Sequence, residues 1–283
     1  MPMDKYSAVW VSHSSMGDFL KCPRCYYLHN VYKSPKTGRK ISIVSPALSL
    51  GSAVHEVLEA LALIQAEKRF EKPLLEKFEK AWVRVSGKRG GFTSEKEEIE
   101  AKERAKEMIL RVERNREPLA EKTIRIKEGH NGMPPNFFLS EEENIILCGK
   151  IDWLIHKPED DSVHILDFKT GRNEENGESL QLPIYQLLLK KLQKRKVSGA
   201  SYWYIERDDK PVDVSLPGDE ESFERVMSVA IQVKKAREGR NFQCPRGSEG
   251  CFDCSPYESI IKGEAEFVGV GEMRQDLYLE MSR

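Results

Sequence analysis

Five of the six cysteines lie close to the two ends of the 283-residue chain, and this distribution restricts how the chain can fold. Cys22 and Cys25 form one CxxC pair in KCPRCYY, and Cys251 and Cys254 form a second in CPRGSEGCFDC, where Cys244 precedes them. In a chain without a signal pattern, such pairs favour metal binding over disulfides. We therefore expect a metal or cluster site that ties the two ends together.

The sixth cysteine, Cys148, stands alone in a strand-like run and is most simply a small buried apolar residue. The stretch MPMDKYSAVWVSHSS has no charged-then-apolar signal pattern, and no apolar run approaches the ~20 residues of a membrane span. A cytoplasmic protein without a membrane partner is therefore expected. The net charge of −1 gives no indication of nucleic-acid binding, which would require the 45 lysines and arginines to be concentrated locally.

The first 120 residues carry mainly helical periodicity. The spacing predicts helices over residues 14–32, where Pro23 interrupts, over 51–70, over 73–86 and over 94–116. The last of these has a single apolar stripe, formed by Ala101, Ala105, Met108, Ile109 and Val112. Its charged residues are best explained as a solvated face and not as a binding patch.

From residue 121 the hydrophobic period becomes that of strands. The strand-like segments are KTIRIKE, PNFFLS, NIILCGKIDWLIHK and SVHILDFKTG, joined by turn material such as HNGMPP and KPEDD. A helix is predicted over about 179–196, with Pro183 near its first turn. A hairpin that turns at DDKP and a helix over 219–238 follow.

Together these patterns predict one α/β domain over residues 1–283, with a mixed β-sheet flanked by helices. Its parts would be a mainly helical region at 14–120, a sheet core at 121–216 and a C-terminal helix with the Cys-rich tail at 217–283.

The segment ILDFKTG places Asp167 and Lys169 two residues apart in a strand, so both side chains point to the same face. If the preceding strand pairs with it across KPEDD, Asp152 lies near Asp167. Two carboxylates suit a hard cation such as Mg²⁺ or Mn²⁺, and a neighbouring lysine can orient or deprotonate a water or stabilise negative charge. The motif alone favours an ordinary ion pair at a strand end, because D-x-K is common.

Two further pairs stand at helical i, i+4 spacing. His55 and Glu59 lie on one side of the helix in GSAVHEVLE, beside its apolar stripe, where a histidine can ligate a metal. Gln181 and Tyr185 share a face of the helix that follows the D-x-K strand.

The ordered motifs SHSSMGDFLKCPRCYYL, GSAVHEVLE, GKIDWLI, ILDFKTG and LQLPIYQLLL, from about residue 14 to 255, resemble those of the PD-(D/E)XK nucleases. More narrowly, they resemble the RecB-like branch, with the RecB and AddB nuclease domains and the CRISPR-associated RecB-like exonucleases. The resemblance implies a restriction-endonuclease-like core and metal-dependent hydrolysis of DNA. The expected activity is that of an exonuclease on single strands or duplex ends.

The resemblance also implies a role for each of the candidate site residues. The metal ligands would be His55, Asp152, Asp167 and the backbone carbonyl of Phe168. Lys169 would be the catalytic lysine, and Gln181 and Tyr185 would hold the lysine and the DNA. A histidine at position 55 marks the exonuclease-like branch, where a glutamate is the common substitute.

Some RecB-like members carry a [4Fe–4S] cluster on one N-terminal and three C-terminal cysteines. By this resemblance the ligands would be Cys22, Cys244, Cys251 and Cys254. The chain departs from the usual tail order, because its single cysteine precedes the CxxC pair. A zinc site of Cys22, Cys25, Cys251 and Cys254 therefore remains an alternative, since paired CxxC units have tetrahedral zinc spacing.

Two other functions remain open. One is a non-catalytic, nucleic-acid-binding subunit that keeps the nuclease fold with a structural zinc site, and the other is a metal-dependent hydrolase of a smaller phosphoester. No helicase motif is present, so a helicase, or a recombination or CRISPR protein, would be a separate chain.

Overall fold

A computed structural model describes residues 5–129 and 132–280. The chain divides into two compact units that alternate along the sequence. The terminal unit contains the described residues up to Ser45, Phe137–Cys148 and those from Phe223 onward, and the central unit contains Pro46–Asn136 and Gly149–Ser222. The single-domain assignment stays a prediction.

Groups of helices and groups of strands follow one another along the chain. Within the described residues the helices are α1 (His13–Lys21), α2 (Pro23–Tyr26), α3 (Pro46–Ala60), α4 (Leu74–Val83), α5 (Glu95–Arg114), α6 (Glu117–Ala120), α7 (Gln181–Leu192), α8 (Asp219–Glu238) and α9 (Ser255–Lys262). The strands are β1 (Val9–Val11), β2 (Ile41–Ile43), β3 (Asn136–Ser140), β4 (Ile145–Cys148), β5 (Trp153–Lys157), β6 (Ser162–Lys169), β7 (Val197–Tyr204), β8 (Val212–Val214), β9 (Ala265–Val270) and β10 (Asp276–Glu280). None of these helices is long and apolar enough to cross a membrane.

The central unit is built on a mixed four-stranded sheet with the order β5-β6-β7-β8. β6 pairs antiparallel with β5 and parallel with β7, and β8 closes an antiparallel hairpin with β7. Leu166 and Phe168 pack with α3, α4 and α5 in one core, whereas Asp167, on the opposite face of β6, bonds to α7. This arrangement confirms the predicted mixed sheet flanked by helices.

Helix α5 follows the sequence pattern closely. All five residues of its predicted apolar stripe are buried in the core of the central unit. Ser94 caps the helix by accepting a hydrogen bond from the backbone of Glu97, a contact that contributes about 1 kcal/mol. Acidic residues occupy its first turn and basic residues its last, as the helix dipole favours.

The terminal unit contains two three-stranded sheets, with the orders β1-β4-β3 and β2-β10-β9. β1 runs parallel to β4, and β10 runs parallel to β2 and antiparallel to β9. Asp276 is fully buried at the start of β10, where its carboxylate lies 2.6 Å from Arg39 Nε. This ion pair between the buried Asp276 and the half-buried Arg39 connects β10 to the loop before β2.

The helix predicted over residues 51–70 is wrong in its second half. α3 ends at Ala60, and Leu61–Leu63 tighten into a 3₁₀ turn. The buried Arg69 is the physical reason, because its Nε donates to the carbonyls of Leu61 and Ile64 at 3.1 and 3.2 Å. The Leu61 carbonyl also accepts a hydrogen bond from the backbone N–H of Ile64 at 3.0 Å, which closes the 3₁₀ turn.

The strand predicted at KTIRIKE is also wrong. Thr123 forms a single bridge with Ile155, and the segment then runs past Trp153, the first residue of β5, where no partner strand continues. A continuous strand through NIILCGKIDWLIHK is likewise wrong, since residues 149–152 separate β4 from β5. Three consecutive residues of β5, Trp153, Leu154 and Ile155, are buried, so both faces of this strand are covered.

Other boundaries agree well with the sequence patterns. α8 covers the predicted residues 219–238, β6 covers the D-x-K strand, and α7 places Pro183 in its first turn. The sequence patterns missed β1, β2, β9, β10 and α9. Within the predicted turn HNGMPP, His130 and Asn131 lie outside the described residues.

Candidate functional site

The β5–β6 hairpin brings the two predicted carboxylates side by side. Trp153 pairs with Leu166 in this antiparallel hairpin. Asp152, the residue before Trp153, therefore lies beside Asp167, the residue after Leu166. Asp152 Oδ2 accepts a hydrogen bond of 3.1 Å from the backbone N–H of Phe168. The predicted convergence of Asp152 with the D-x-K strand is therefore present.

Helix α3 supplies a histidine and a second acidic residue to the same place. His55 Nδ1 lies 3.3 Å from Asp152 Oδ2 and 3.6 Å from Glu59 Oε1. The ligand atoms of these three residues all lie within 4.8 Å of one another. Glu59 is therefore a candidate metal ligand, although its sequence position indicated only that it shares a helix face with His55. It also contacts the ammonium of Lys150.

Two glycines of the quoted motifs permit the close packing around this group. A Cβ on Gly51 would lie 3.0 Å from Thr170 Oγ1, just after the D-x-K strand. A Cβ on Gly149 would lie 2.9 Å from a methyl carbon of Leu188 on α7. The absence of a side chain at both positions lets α3 and α7 approach the segments that carry the site.

Asp167 is almost completely buried and held from two sides. Its Oδ1 accepts hydrogen bonds from Gln181 Nε2 at 2.8 Å and from the Tyr185 hydroxyl at 3.1 Å. Its Oδ2 is 2.9 Å from Lys169 Nζ, yet this buried oxygen has no hydrogen bond of normal geometry with the described residues. Burial, reinforced by the negative charge of Asp152, raises the pKa of Asp167 to about 7.

Lys169 lies at the centre of a polar cage. Its ammonium donates to Gln181 Oε1, lies 2.8 Å from Glu175 Oε2 and sits 4.7 Å from the centre of the Tyr202 ring. Burial disfavours the charged form, but Asp167 and Glu175 outweigh it and raise the pKa of Lys169. The side chain is therefore a protonated donor in this arrangement.

Glu175 is a residue of this site that sequence reasoning missed. It lies in the irregular segment between β6 and α7, where its backbone N–H donates to the Tyr204 hydroxyl at 3.0 Å. No periodicity marks such a segment, and the only available signal was an acidic residue six positions after a motif lysine.

The residues present fit a divalent cation. The donors are carboxylate oxygens and an imidazole nitrogen, which suit Mg²⁺ or Mn²⁺. The raised pKa of Asp167 and its unsatisfied Oδ2 show a carboxylate that lacks sufficient positive charge. Burial acts against protonation of His55, but its contacts with Asp152 and Glu59 raise its pKa to about 10.

The terminal unit holds a second candidate metal centre. The sulfur atoms of Cys22, Cys244, Cys251 and Cys254 all lie within 4.8 Å of one another. Cys22, Cys244 and Cys254 are buried and Cys251 is half-buried. The two cysteine-rich ends of the chain are therefore close together, as predicted. Cys25 packs in the same cluster, but its sulfur is not part of this four-sulfur group.

Cys148 lies apart from this group, half-buried on β4, where burial raises the pKa of its thiol to about 11.

Burial raises the pKa of the Cys22 and Cys254 thiols, and polar groups around the cysteines offset part of this effect. At Cys251 such groups outweigh burial and lower the pKa. Backbone N–H groups donate to the sulfurs of Cys254 at 3.2 Å and of Cys244 at 3.4 Å. Arg24 carries positive charge close to both sulfurs and forms an ion pair of 2.8 Å with Glu258 on α9. Thiolates are the form in which cysteine binds zinc and iron, so the surroundings fit a metal.

A family model described as the PD-(D/E)XK nuclease superfamily matches residues 10–260 of the chain. No curated protein sequence gives a significant match.

Proposed function

Since the chain belongs to the PD-(D/E)XK nuclease superfamily, whose members are usually metal-dependent nucleases, we propose that it hydrolyses phosphodiester bonds in DNA. We further propose that it acts as an exonuclease of the RecB-like branch on single strands or duplex ends. The ordered motifs and His55 on α3 support this finer assignment.

The observation that carries the proposal is the junction of Asp152, Asp167 and Lys169 at one end of the β5–β6 hairpin. A divalent cation bound by His55, Glu59, Asp152 and Asp167, with the Phe168 carbonyl, would lower the pKa of a bound water and neutralise charge on a phosphate.

The protein's own residues have separable tasks in this proposal. Lys169, charged and held by Gln181, is placed to donate to the phosphate oxygen on which negative charge develops. Tyr185 and Gln181 fix the carboxylate of Asp167 through hydrogen bonds to the same oxygen. Glu175 keeps Lys169 protonated.

Cleavage of end-labelled DNA tests the proposal. With Mn²⁺, protein incubated with single-stranded and duplex DNA carrying a 5′ or a 3′ label should release mononucleotides or short products from one end. Internal cleavage would contradict the exonuclease assignment. Binding of DNA without cleavage under any divalent ion would instead support the non-catalytic subunit, and indifference to DNA as a competitor would indicate a smaller phosphoester substrate.

For the cysteine centre we propose a [4Fe–4S] cluster, because the four-sulfur group is the ligand set that the resemblance to RecB-like nucleases implies. A single zinc ion is the second candidate. The Cys251 and Cys254 sulfurs are 3.7 Å apart, close to the ~3.8 Å edge of a tetrahedron with Zn–S bonds of ~2.3 Å. A cluster absorbs near ~400 nm and contains iron, whereas zinc gives a colourless protein.

We propose a cytoplasmic location and cooperation with a separate helicase, recombination protein or CRISPR protein. Such a partner would supply unwound strands to the nuclease.

The Glu175→Gln protein should cleave DNA about tenfold more slowly, with the alkaline limb of its pH–rate profile moved to lower pH. Removing the carboxylate lowers the pKa of Lys169, whose charged form is then lost at a lower pH. The matched control is Glu174→Gln on the same segment, which pairs with Arg207 at 3.0 Å and should leave both quantities unchanged. An unshifted pH profile for Glu175→Gln would contradict the role assigned to it.

Binding of Mn²⁺ at pH 7 should release about one proton or more, and its affinity should rise with pH. An imidazole must be neutral to ligate a metal, and the pKa of His55 is about 10 in the metal-free protein. Titration calorimetry in two buffers with different ionisation enthalpies measures the released protons. His164→Gln on β6, outside the candidate site, is the control, and a pH-independent affinity would contradict ligation by His55.

A further inference from the structure

A cavity of about 730 Å³ opens on the surface of the terminal unit. Residues of α2 and the turn after it, together with the end of α8 and the segment that follows, line its walls. Ligand cavities commonly measure about 300–1,000 Å³, so this one has room for a nucleotide. It lies apart from the cluster of His55, Asp152 and Lys169 in sequence and belongs to another unit.

Arg24, Arg237 and Arg240 line the cavity, and within the described residues only Arg24 has an acidic partner, Glu258. Arg240 has no side-chain hydrogen bond or ion pair with any described residue, and Arg237 makes only a long hydrogen bond of 3.4 Å to the Tyr26 hydroxyl. A chain with a net charge of −1 thus has two arginines without acidic partners at this cavity, and local positive charge of this kind is what phosphate binding requires.

The helix dipole explains only part of this cluster. α8 ends at Glu238, so a cation at Arg237 is favoured by the helix C-terminus. Arg240 lies beyond the helix with a φ of +50°, a conformation that glycine adopts at lower cost.

Aromatic rings complete the cavity. Tyr27 and Phe242 both line it and stack on each other, with ring centres 4.9 Å apart. Proteins that bind single strands combine arginines along the phosphate backbone with aromatic rings against which bases stack. The amide side chains of Asn241 and Gln243 add hydrogen-bonding groups that can reach a base or sugar.

We propose that this cavity binds a nucleotide unit of single-stranded DNA, with its phosphate at Arg237 and Arg240 and its base against the ring pair of Tyr27 and Phe242. The inference rests on the proposed function, because it names the strand form of the same substrate.

Fluorescence anisotropy with a labelled oligothymidylate and no added divalent metal tests the proposal on the full chain with its cysteine centre loaded. Arg240→Glu should weaken binding at least about tenfold and reduce the slope of log affinity against log salt by about 0.7. Phe242→Leu should weaken binding about tenfold through lost stacking. Absorbance of the cysteine centre and the melting temperature show whether each variant is folded.

The matched control is Arg274→Glu. Arg274 is also an exposed arginine of the terminal unit with a positive φ, and it is not among the residues that line the cavity. Unchanged affinity in this variant supports a local site, whereas an equal loss in Arg240→Glu and Arg274→Glu overturns it. Displacement of the oligonucleotide by thymidine monophosphate at similar concentration would overturn the assignment to a strand and indicate a free nucleotide.

The cavity and the proposed nuclease activity can fail separately. If the unaltered protein cleaves DNA, but the Arg240→Glu variant binds the oligonucleotide with the same affinity as the unaltered protein, the cavity proposal is wrong and the nuclease proposal stands. If the unaltered protein binds DNA through the cavity but cleaves none with Mn²⁺, the cavity proposal is supported and the nuclease proposal fails.

Discussion

The Lys169→Ala protein should lose Mn²⁺-dependent DNA cleavage by at least about 10³-fold while keeping its fold. Lys169 is the cation held against both Asp167 and Glu175, and no other lysine or arginine among the described residues forms an ion pair with Asp167. Its loss removes the donor placed to stabilise charge on the phosphate. Initial rates on end-labelled DNA, with circular dichroism and a Mn²⁺ titration on the same sample, measure the effect.

Lys210→Ala provides the matched control, because Lys210 is an exposed lysine in the turn between β7 and β8 of the same unit. It should cleave DNA at the rate of the unaltered protein. Equal activity in Lys169→Ala would show that cleavage does not use this lysine and would remove the main support for the assignment.

Cys244→Ser should remove the metal from the cysteine centre, whereas Cys25→Ser should leave it bound. The first change deletes one of the four grouped sulfurs, and the second deletes a buried thiol outside the group. Structural metal sites contribute about 10–16 kcal/mol of binding free energy in zinc-finger peptides, so loss of the metal should lower the melting temperature by more than about 10 °C. Elemental analysis, absorbance near ~400 nm and thermal unfolding report the result.

The Cys25 variant is also the control for simple loss of a buried sulfur. Burial, with the nearby charges of Asp18 and Asp253, raises the pKa of the Cys25 thiol to about 12, as expected for an uncharged filler of the core. Loss of metal in Cys25→Ser, and its retention in Cys244→Ser, would establish the alternative zinc set and contradict the proposed ligands.

The parts of the fold that sequence patterns predicted well are those with a long, regular apolar period. The stripe of α5 repeats over 20 residues, and every predicted member of it is buried. The D-x-K strand could be predicted because apolar residues surround its two charges. KPEDD is a strong turn signal, so the strand pairing that brings Asp152 beside Asp167 could be predicted from the sequence.

The parts that could not be predicted depend on contacts between distant residues. Arg69 ends the helical run after Ala60, and its Nη1 also donates to the carbonyls of Leu119 and Glu121, both at 2.6 Å. No local pattern indicates such a buried guanidinium. β2 has only three residues and lies in the sheet through its pairing with β10, far along the chain.

The candidate sites show the same division. Spacing alone left Cys25 and Cys244 as competing ligands, and only the spatial grouping of the sulfurs separates them. Glu175 reaches Lys169 from an irregular segment, so its position depends on how that segment folds.

The position of the four grouped cysteines has a consequence for biosynthesis. Cys22 leaves the ribosome about 230 residues before Cys254, which at roughly 5–20 residues per second is a delay on the order of ten to fifty seconds. During that interval the early thiol has no complete set of partners and must remain reduced. Insertion of the proposed metal or cluster would therefore follow the synthesis of Cys254, and the supply of metal or cluster, together with the cell's thiol-reducing capacity, would set how much of the newly made chain matures.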